Sequence, residues 1–156
     1  MKKFSIGLII LLLLSSKMLA GEISGVASIT DGDTIKIFNN RIRFHGIDAP
    51  ETKQICIRNL KEYYCGKKAT TALVEKIDKR KVRCKVQNNL DRYRRHIGVC
   101  FVEGINLNKW MVRNGHAVAF RRYSKNYVKD ETYAKKNKLG LWSGSFIHPE
   151  KWRKLN

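Results

Sequence analysis

Two β-rich runs, Arg80 to Val86 and Ile97 to Val102, each carry one cysteine near the middle, and a turn-forming stretch from Asn88 to Asp91 separates them. Read as the arms of an antiparallel pair, they put Cys84 opposite Cys100, and a bridge there would pin the register of the whole strand pair. The other two cysteines, Cys56 and Cys65, lie close together in sequence. Of the three possible connectivities, Cys56 with Cys65 and Cys84 with Cys100 is expected, because it needs only local geometry. No C-x-x-C pair of the kind zinc sites use occurs in the chain, so a zinc site is set aside.

Disulfides require an oxidising compartment, and the first twenty residues provide for export. A basic start (Lys2, Lys3), an apolar run from Phe4 to Leu14 and a short exit ending at Ala20 have the outline of a secretory signal peptide. The run is about half the length that spans a bilayer. A secreted or periplasmic protein with no stable membrane anchor after cleavage is therefore expected. Residues 21–156 suit one compact domain, with no internal repeat or low-complexity linker.

The chain has 32 lysines and arginines against 13 acids, a formal charge of +19. Cleavage would remove Lys2, Lys3 and Lys17 and no acid, so the remainder stays strongly basic. Such a surface seeks a polyanion, with nucleic acid ahead of an anionic membrane. An exposed amphipathic apolar face, which membrane action would need, is missing from the exported part.

Short strands are expected over Ile23 to Ile29, Thr34 to Phe38 and Arg41 to Phe44, with Asn39 and Asn40 as a hairpin tip. From Gly46 to Cys65 the chain has Pro50 and little periodicity, and reads as an irregular, exposed loop. Ala69, Leu73 and Ile77 recur at helical spacing. A short helix follows between Asn106 and Gly115, then a returning strand over Ala117 to Phe120 and a polar third helix from about Asn126 to Lys138. Leu141, Trp142, Phe146 and Trp152 are expected to pack a polar tail onto the body. Strands, an inserted helix, strands again and then helices make an α+β chain, whose sheet edges a small closed barrel would cover.

The chemistry gathers in two segments. Asp-Gly-Asp-Thr from Asp31 to Thr34, and Arg-Ile-Arg-Phe-His-Gly-Ile-Asp-Ala-Pro-Glu from Arg41 to Glu51, flank one apparent hairpin. Asp33 and Asp48, completed by a backbone carbonyl, water and substrate, would make an open oxygen-only site suited to calcium. Arg43 supplies a planar cation for a phosphate, and Asp91-Arg-Tyr-Arg-Arg95 offers a second clamp. His45, His96, His116 and His148 stand alone and are assigned no ligand role.

In their order and spacing these residues resemble the staphylococcal nuclease (thermonuclease) family, from about Ser24 to Trp142. The resemblance implies a five-stranded OB-fold barrel with three helices. It implies metal ligation by Asp33, Asp48 and the Ala49 carbonyl, and catalysis by Arg43, Glu51 and Arg95, with Glu51 orienting or deprotonating the attacking water. Tyr93 and Tyr123 would line the nucleotide pocket. It further implies a monomeric calcium-dependent enzyme that cleaves DNA and RNA with little sequence preference and leaves a 3′-phosphate. The chain departs from the family at Arg94, where a glycine is usual, and a wider turn is expected there. The alternative is a catalytically inactive OB module that only holds nucleic acid; such a module would have no need of Asp33, Asp48 and Glu51.

Overall fold

The computed structural model describes residues 21–156; the expected leader lies outside the described residues. Strands β1 (Gly21–Asp31), β2 (Thr34–Ile37) and β3 (Asn40–Phe44) form an antiparallel meander. The chain then makes a two-residue strand β4 (Ile47–Asp48) and a hairpin of β5 (Ile55–Arg58) and β6 (Lys61–Tyr64), which leads into helix α1 (Cys65–Ile77). Strand β7 (Lys81–Leu90) pairs with β1 on one side and with β8 (His96–Val102) on the other. A parallel pairing of β3 with β8 closes these five long strands into a mixed barrel. The rest comprises β9 (Ile105–Asn106), α2 (Leu107–Arg113), β10 (Val118–Ala119), α3 (Val128–Lys136), a 3-10 turn (Gly140–Ser143) and α4 (Pro149–Leu155).

Alternation decides what enters the barrel. In β7 the side chains of Val82, Cys84 and Val86 are buried while Lys81, Arg83 and Lys85 are exposed, the period-two pattern of a sheet with one wet face. Ile35, Ile37, Ile42, Phe44 and Val102 join them, and α1 adds Ala69, Leu73 and Ile77 at four-residue intervals. Each fully buried leucine or isoleucine there stabilises the fold by about 1.5–3 kcal/mol relative to exposure. Cys84 faces Cys100 in register, and the disulfides join Cys84 to Cys100 and Cys56 to Cys65, as the spacing predicts.

Four local expectations are corrected. The stretch after Gly46 is only partly exposed and less irregular than expected: Ile47 to Pro50, Gln54, Cys56 and Cys65 are buried, residues between them such as Thr52, Lys53 and Leu60 are exposed, a hairpin forms over 55–64, and α1 begins at Cys65. The β5–β6 hairpin turns through Asn59 and Leu60 at φ 49° and 60°. A two-residue turn of the I′ type needs such angles, but leucine is not a residue from which one would read it. The first hairpin turns at Phe38 and Asn39, with Phe38 at φ 51°, one residue earlier than expected. Strand β7 runs on to Leu90 through an irregularity after Val86, which moves the next turn to Asp91–Arg95. Finally, there are four α-helices among the described residues instead of three. The fourth, α4, is seven residues long with Pro149 in its first turn, a favoured place for proline, and is too short to show an apolar period. The tail aromatics do pack: Trp142 meets Phe146 edge-on at 4.8 Å, beside buried Leu141 and the Cys56–Cys65 bridge.

Candidate functional site

The tight turn between β1 and β2 and the exit of β3 are held against each other by backbone as much as by side chains. The Ala49 amide donates to Asp33 Oδ2 at 2.6 Å, and Phe44 N–H donates to the Asp33 carbonyl at 2.8 Å. Gly32 makes this approach possible, because a Cβ there would lie 2.7 Å from Ala49 Cβ and 3.0 Å from Ala69 Cβ. Strand β4 pairs with β10, Asp48 opposite Val118, so Asp48 is buried on a two-strand ladder.

Arg43 projects from β3 between the two buried aspartates. Its guanidinium pairs with Asp33 through Nη1 and reaches Asp48 Oδ1 through Nη2 at 2.9 Å. Asp31 closes the same corner, accepting the Asp33 N–H at 3.0 Å. Burial, reinforced by the Asp33 charge, lifts the Asp31 carboxyl from its ordinary 3.8 to about 6. Burial also pushes Asp48 up, and the arginines that contact it oppose the shift. Asp33 and Asp48 thus converge on the Arg43 guanidinium, with the Asp31 carboxyl close beside Asp33, so the corner is rich in carboxylate oxygen. Among the described residues no group of three or more His, Cys, Asp or Glu side chains is placed to hold a metal ion. Asp33 and Asp48 offer oxygen donors alone, a chemistry that suits calcium or magnesium and not zinc, and here those oxygens accept from Thr34, the Ala49 amide, Arg43 and Arg153.

Glu51 follows on the loop after β4. Its carbonyl accepts from Gln54 N–H at 2.7 Å, and Gly66 packs so closely on that carbonyl that any Cβ would collide with it. Its carboxylate meets Arg153 from α4: Nη1 donates to Glu51 Oε1 and Nη2 to Asp48 Oδ2, both at 2.9 Å. Burial opposes charge on Arg153, yet these two carboxylates outweigh it and hold its pKa above the ordinary value.

The second clamp is a tight turn. Asp91 Oδ1 accepts the amides of Tyr93 and Arg95, and its Oδ2 accepts from Arg95 Nε at 2.9 Å. Arg94 takes φ 59°, the left-handed conformation that glycine adopts at no cost, so the turn is not widened, and its side chain is exposed while Arg95 is partly buried. His96 pairs with Ile42 across the parallel β3–β8 ladder, so Arg95 stands in the turn just before the strand that neighbours the one carrying Arg43. The exposed Tyr93 ring has the Arg92 and Arg95 guanidinium groups 4.8 and 5.2 Å from its centroid. Exposed Tyr123 stacks edge-on with Phe120 at 4.9 Å. Among the described residues, no hydrogen bond or ion pair links Arg95, Tyr93 or Tyr123 to Asp33, Asp48 or Glu51. The geometry therefore assembles Asp33, Arg43, Asp48, Ala49 and Glu51 as one cluster and leaves the other three beside it. A cleft of about 490 Å³ opens at Asp48, lined by Phe120, Arg121, Arg122, Lys151 and Lys154.

Two members of the cluster escaped sequence reasoning. Asp31 stood in the Asp-Gly-Asp turn, where its spacing of two from Asp33 was the available signal. Arg153 had none, being one basic residue in a basic tail.

Residues 41–144 match the family described as staphylococcal nuclease homologue. The chain belongs to the staphylococcal nuclease family. It is 36% identical to a succinoglycan biosynthesis protein, ExoI, of Rhizobium meliloti, over 83% of this chain and 69% of that protein. An uncharacterized endonuclease of Escherichia coli O157:H7 is 32% identical over 93% of this chain and 94% of its own length. A micrococcal nuclease of Shigella flexneri is 32% identical over 84% of this chain and 80% of its own. The family's closed barrel is the α+β architecture described above. Asp33 lies ahead of the matched segment and Arg153 beyond it.

Proposed function

We propose that this member of the family is a calcium-dependent nuclease that hydrolyses phosphodiester bonds of DNA and RNA with little sequence preference, outside the cytoplasm. The observation that carries the reading is the Asp33–Arg43–Asp48 cluster, in which buried acids and a guanidinium meet beside a basic cleft. A pure binder gains nothing from burying acids where a phosphate must come, since they repel it unless a cation intervenes.

Asp33, Asp48 and the Ala49 carbonyl would hold the ion, which when bound supplies positive charge at a phosphoryl oxygen. Arg43, and Arg95 from the turn before β8, donate N–H groups to the remaining phosphate oxygens as negative charge grows in the transition state. Glu51 takes a proton from the attacking water through its free oxygen Oε2. The new P–O bond forms as the bond to the 5′ oxygen breaks, and the leaving oxygen takes a proton from solvent water and departs as a hydroxyl, giving a 3′-phosphate. Tyr93 and Tyr123, both exposed, offer faces for bases, a contact that is tolerant of sequence. Lysines and arginines on the outer barrel face hold the strand without reading it.

The two disulfides support a role outside the cytoplasm, where such bonds persist. Digestion of plasmid and RNA with calcium, with magnesium and with a chelator tests the reading. Cleavage in calcium that the chelator abolishes is expected. A wild-type protein that binds both polymers in calcium and cleaves neither would leave the inactive binding module as the better description.

A further inference from the structure

The carboxylate of Glu51 sits on a loop, half-exposed, and a free glutamate there would populate several rotamers. Among the described residues its one ion-pair partner is Arg153. That guanidinium does more than neutralise it. Its two arms span Glu51 Oε1 and Asp48 Oδ2 at 2.9 Å each, so the planar fork fixes the loop carboxylate relative to one that is buried and already held by Arg43. Glu51 Oε2 is left free for water.

The approach of α4 is independently anchored to the same loop. Gln54, fully buried and three residues after Glu51, donates through Nε2 to the Ile147 carbonyl at 2.6 Å, just before α4 begins. Arg122 pairs with Glu150 in the first turn of α4 at 3.1 Å, and Pro149 is buried. The loop that carries Glu51 is thus tied to the segment leading into α4 through Gln54, and α4 itself is held to the chain after β10 through Arg122.

We propose that Arg153 is a positioning residue of the active site, holding the Glu51 carboxylate in place for the attacking water, so that α4 is part of the catalytic unit although it lies after the residues 41–144 that match the family. The proposal rests on the nuclease reading and on Glu51 as the base.

The test is a double-mutant cycle on the full exported chain, read by cleavage of a short DNA in calcium under both steady-state and single-turnover conditions. Arg153→Ala should lower kcat by about 10- to 100-fold, with KM changed less than about threefold because the lysines that hold the strand are untouched. In a Glu51→Gln background the same substitution should have no further effect, since it acts through that carboxylate. Arg153→Lys, a single point of charge without the fork, should recover only part of the rate, and millimolar guanidinium should partly rescue Arg153→Ala. Calorimetry should find calcium binding by Arg153→Ala no weaker than wild type, and its thermal midpoint should stay within a few degrees.

Several results would overturn the proposal. A rate for Arg153→Ala equal to or above wild type would make Arg153 a bystander or a plug. An equal loss in both backgrounds would mean that it acts directly or through the fold, and weaker calcium binding would trace the loss to the metal. Failure of the wider reading looks different: a wild type that does not cleave sinks both, and an unimpaired Glu51→Gln removes the base and this proposal with it.

Discussion

Asp31→Asn should stabilise the protein at neutral and alkaline pH. The Asp31 carboxyl is lifted from 3.8 to about 6, first by burial and then by the nearby Asp33 charge. A carboxyl whose folded pKa exceeds its unfolded value binds its proton more tightly in the folded state. Below about pH 4 it is protonated in both states and costs nothing; above about pH 6 it is ionised in both, and the folded state bears the full penalty. A displacement of about two units corresponds to roughly 3 kcal/mol as an upper figure, and relaxation around the charge brings the expected gain to about 1–3 kcal/mol. Asparagine keeps the Oδ1 acceptor that receives the Asp33 N–H and removes the charge. In a domain of this size each kcal/mol moves the thermal midpoint by roughly 3–5 °C. Urea and thermal melts of both proteins in EDTA, at about pH 4, 6 and 8, would measure the effect without a cation to offset it. A gain that grows with pH and vanishes near pH 4 is expected. A destabilised variant at pH 8, or a gain of the same size at pH 4, would refute the electrostatic reasoning.

Glu131 is fully buried; burial opposes its charge, but hydrogen bonds from Arg121, Lys135 and the Ala119 amide hold its pKa below the usual range. Glu131→Gln should cost about 2–4 kcal/mol at neutral pH in denaturant melts, and the gap should close as pH falls through that lowered pKa. Gly66→Ala would drive a methyl into the Glu51 carbonyl and against Thr52 Cα; a loss of more than about 2 kcal/mol is expected, with slower cleavage because the loop carrying Glu51 must move. Arg94→Gly should relieve the left-handed strain by about 1 kcal/mol and leave cleavage unchanged, whereas Arg95→Ala should lose roughly 100-fold in rate. A larger rate effect at Arg94 than at Arg95 would mean the clamp is displaced by one residue.

Asp33, Asp48 and Glu51 were expected together through the family resemblance of their two motifs, each of which alone is a common turn or loop sequence, and the structure holds those motifs side by side through the Ala49 amide and Phe44 N–H. The Cys84–Cys100 pairing was legible locally, both cysteines falling on the inward period of an antiparallel pair. The β5–β6 hairpin was not, since its turn uses Asn59 and Leu60 at positive φ and Ile55 and Ile57 face outward, so neither turn chemistry nor alternation announced it. The strained Arg94 likewise conceals a turn that a glycine would have declared.

Local rules reach as far as the antiparallel pairing of β7 with β8, the disulfide pairs and the basic field, and the family motifs add the acids and arginines of one chemistry. Only the tertiary structure decided the barrel closure by parallel pairing of β3 with β8, the ladder that buries Asp48 opposite Val118, and the return of Arg153 to Glu51 across 102 residues. Contacts that distant leave no periodicity or spacing to read. They form because burying the strand faces and tying the Glu51 loop to the tail bring these groups together, and the charges then meet at hydrogen-bonding distance.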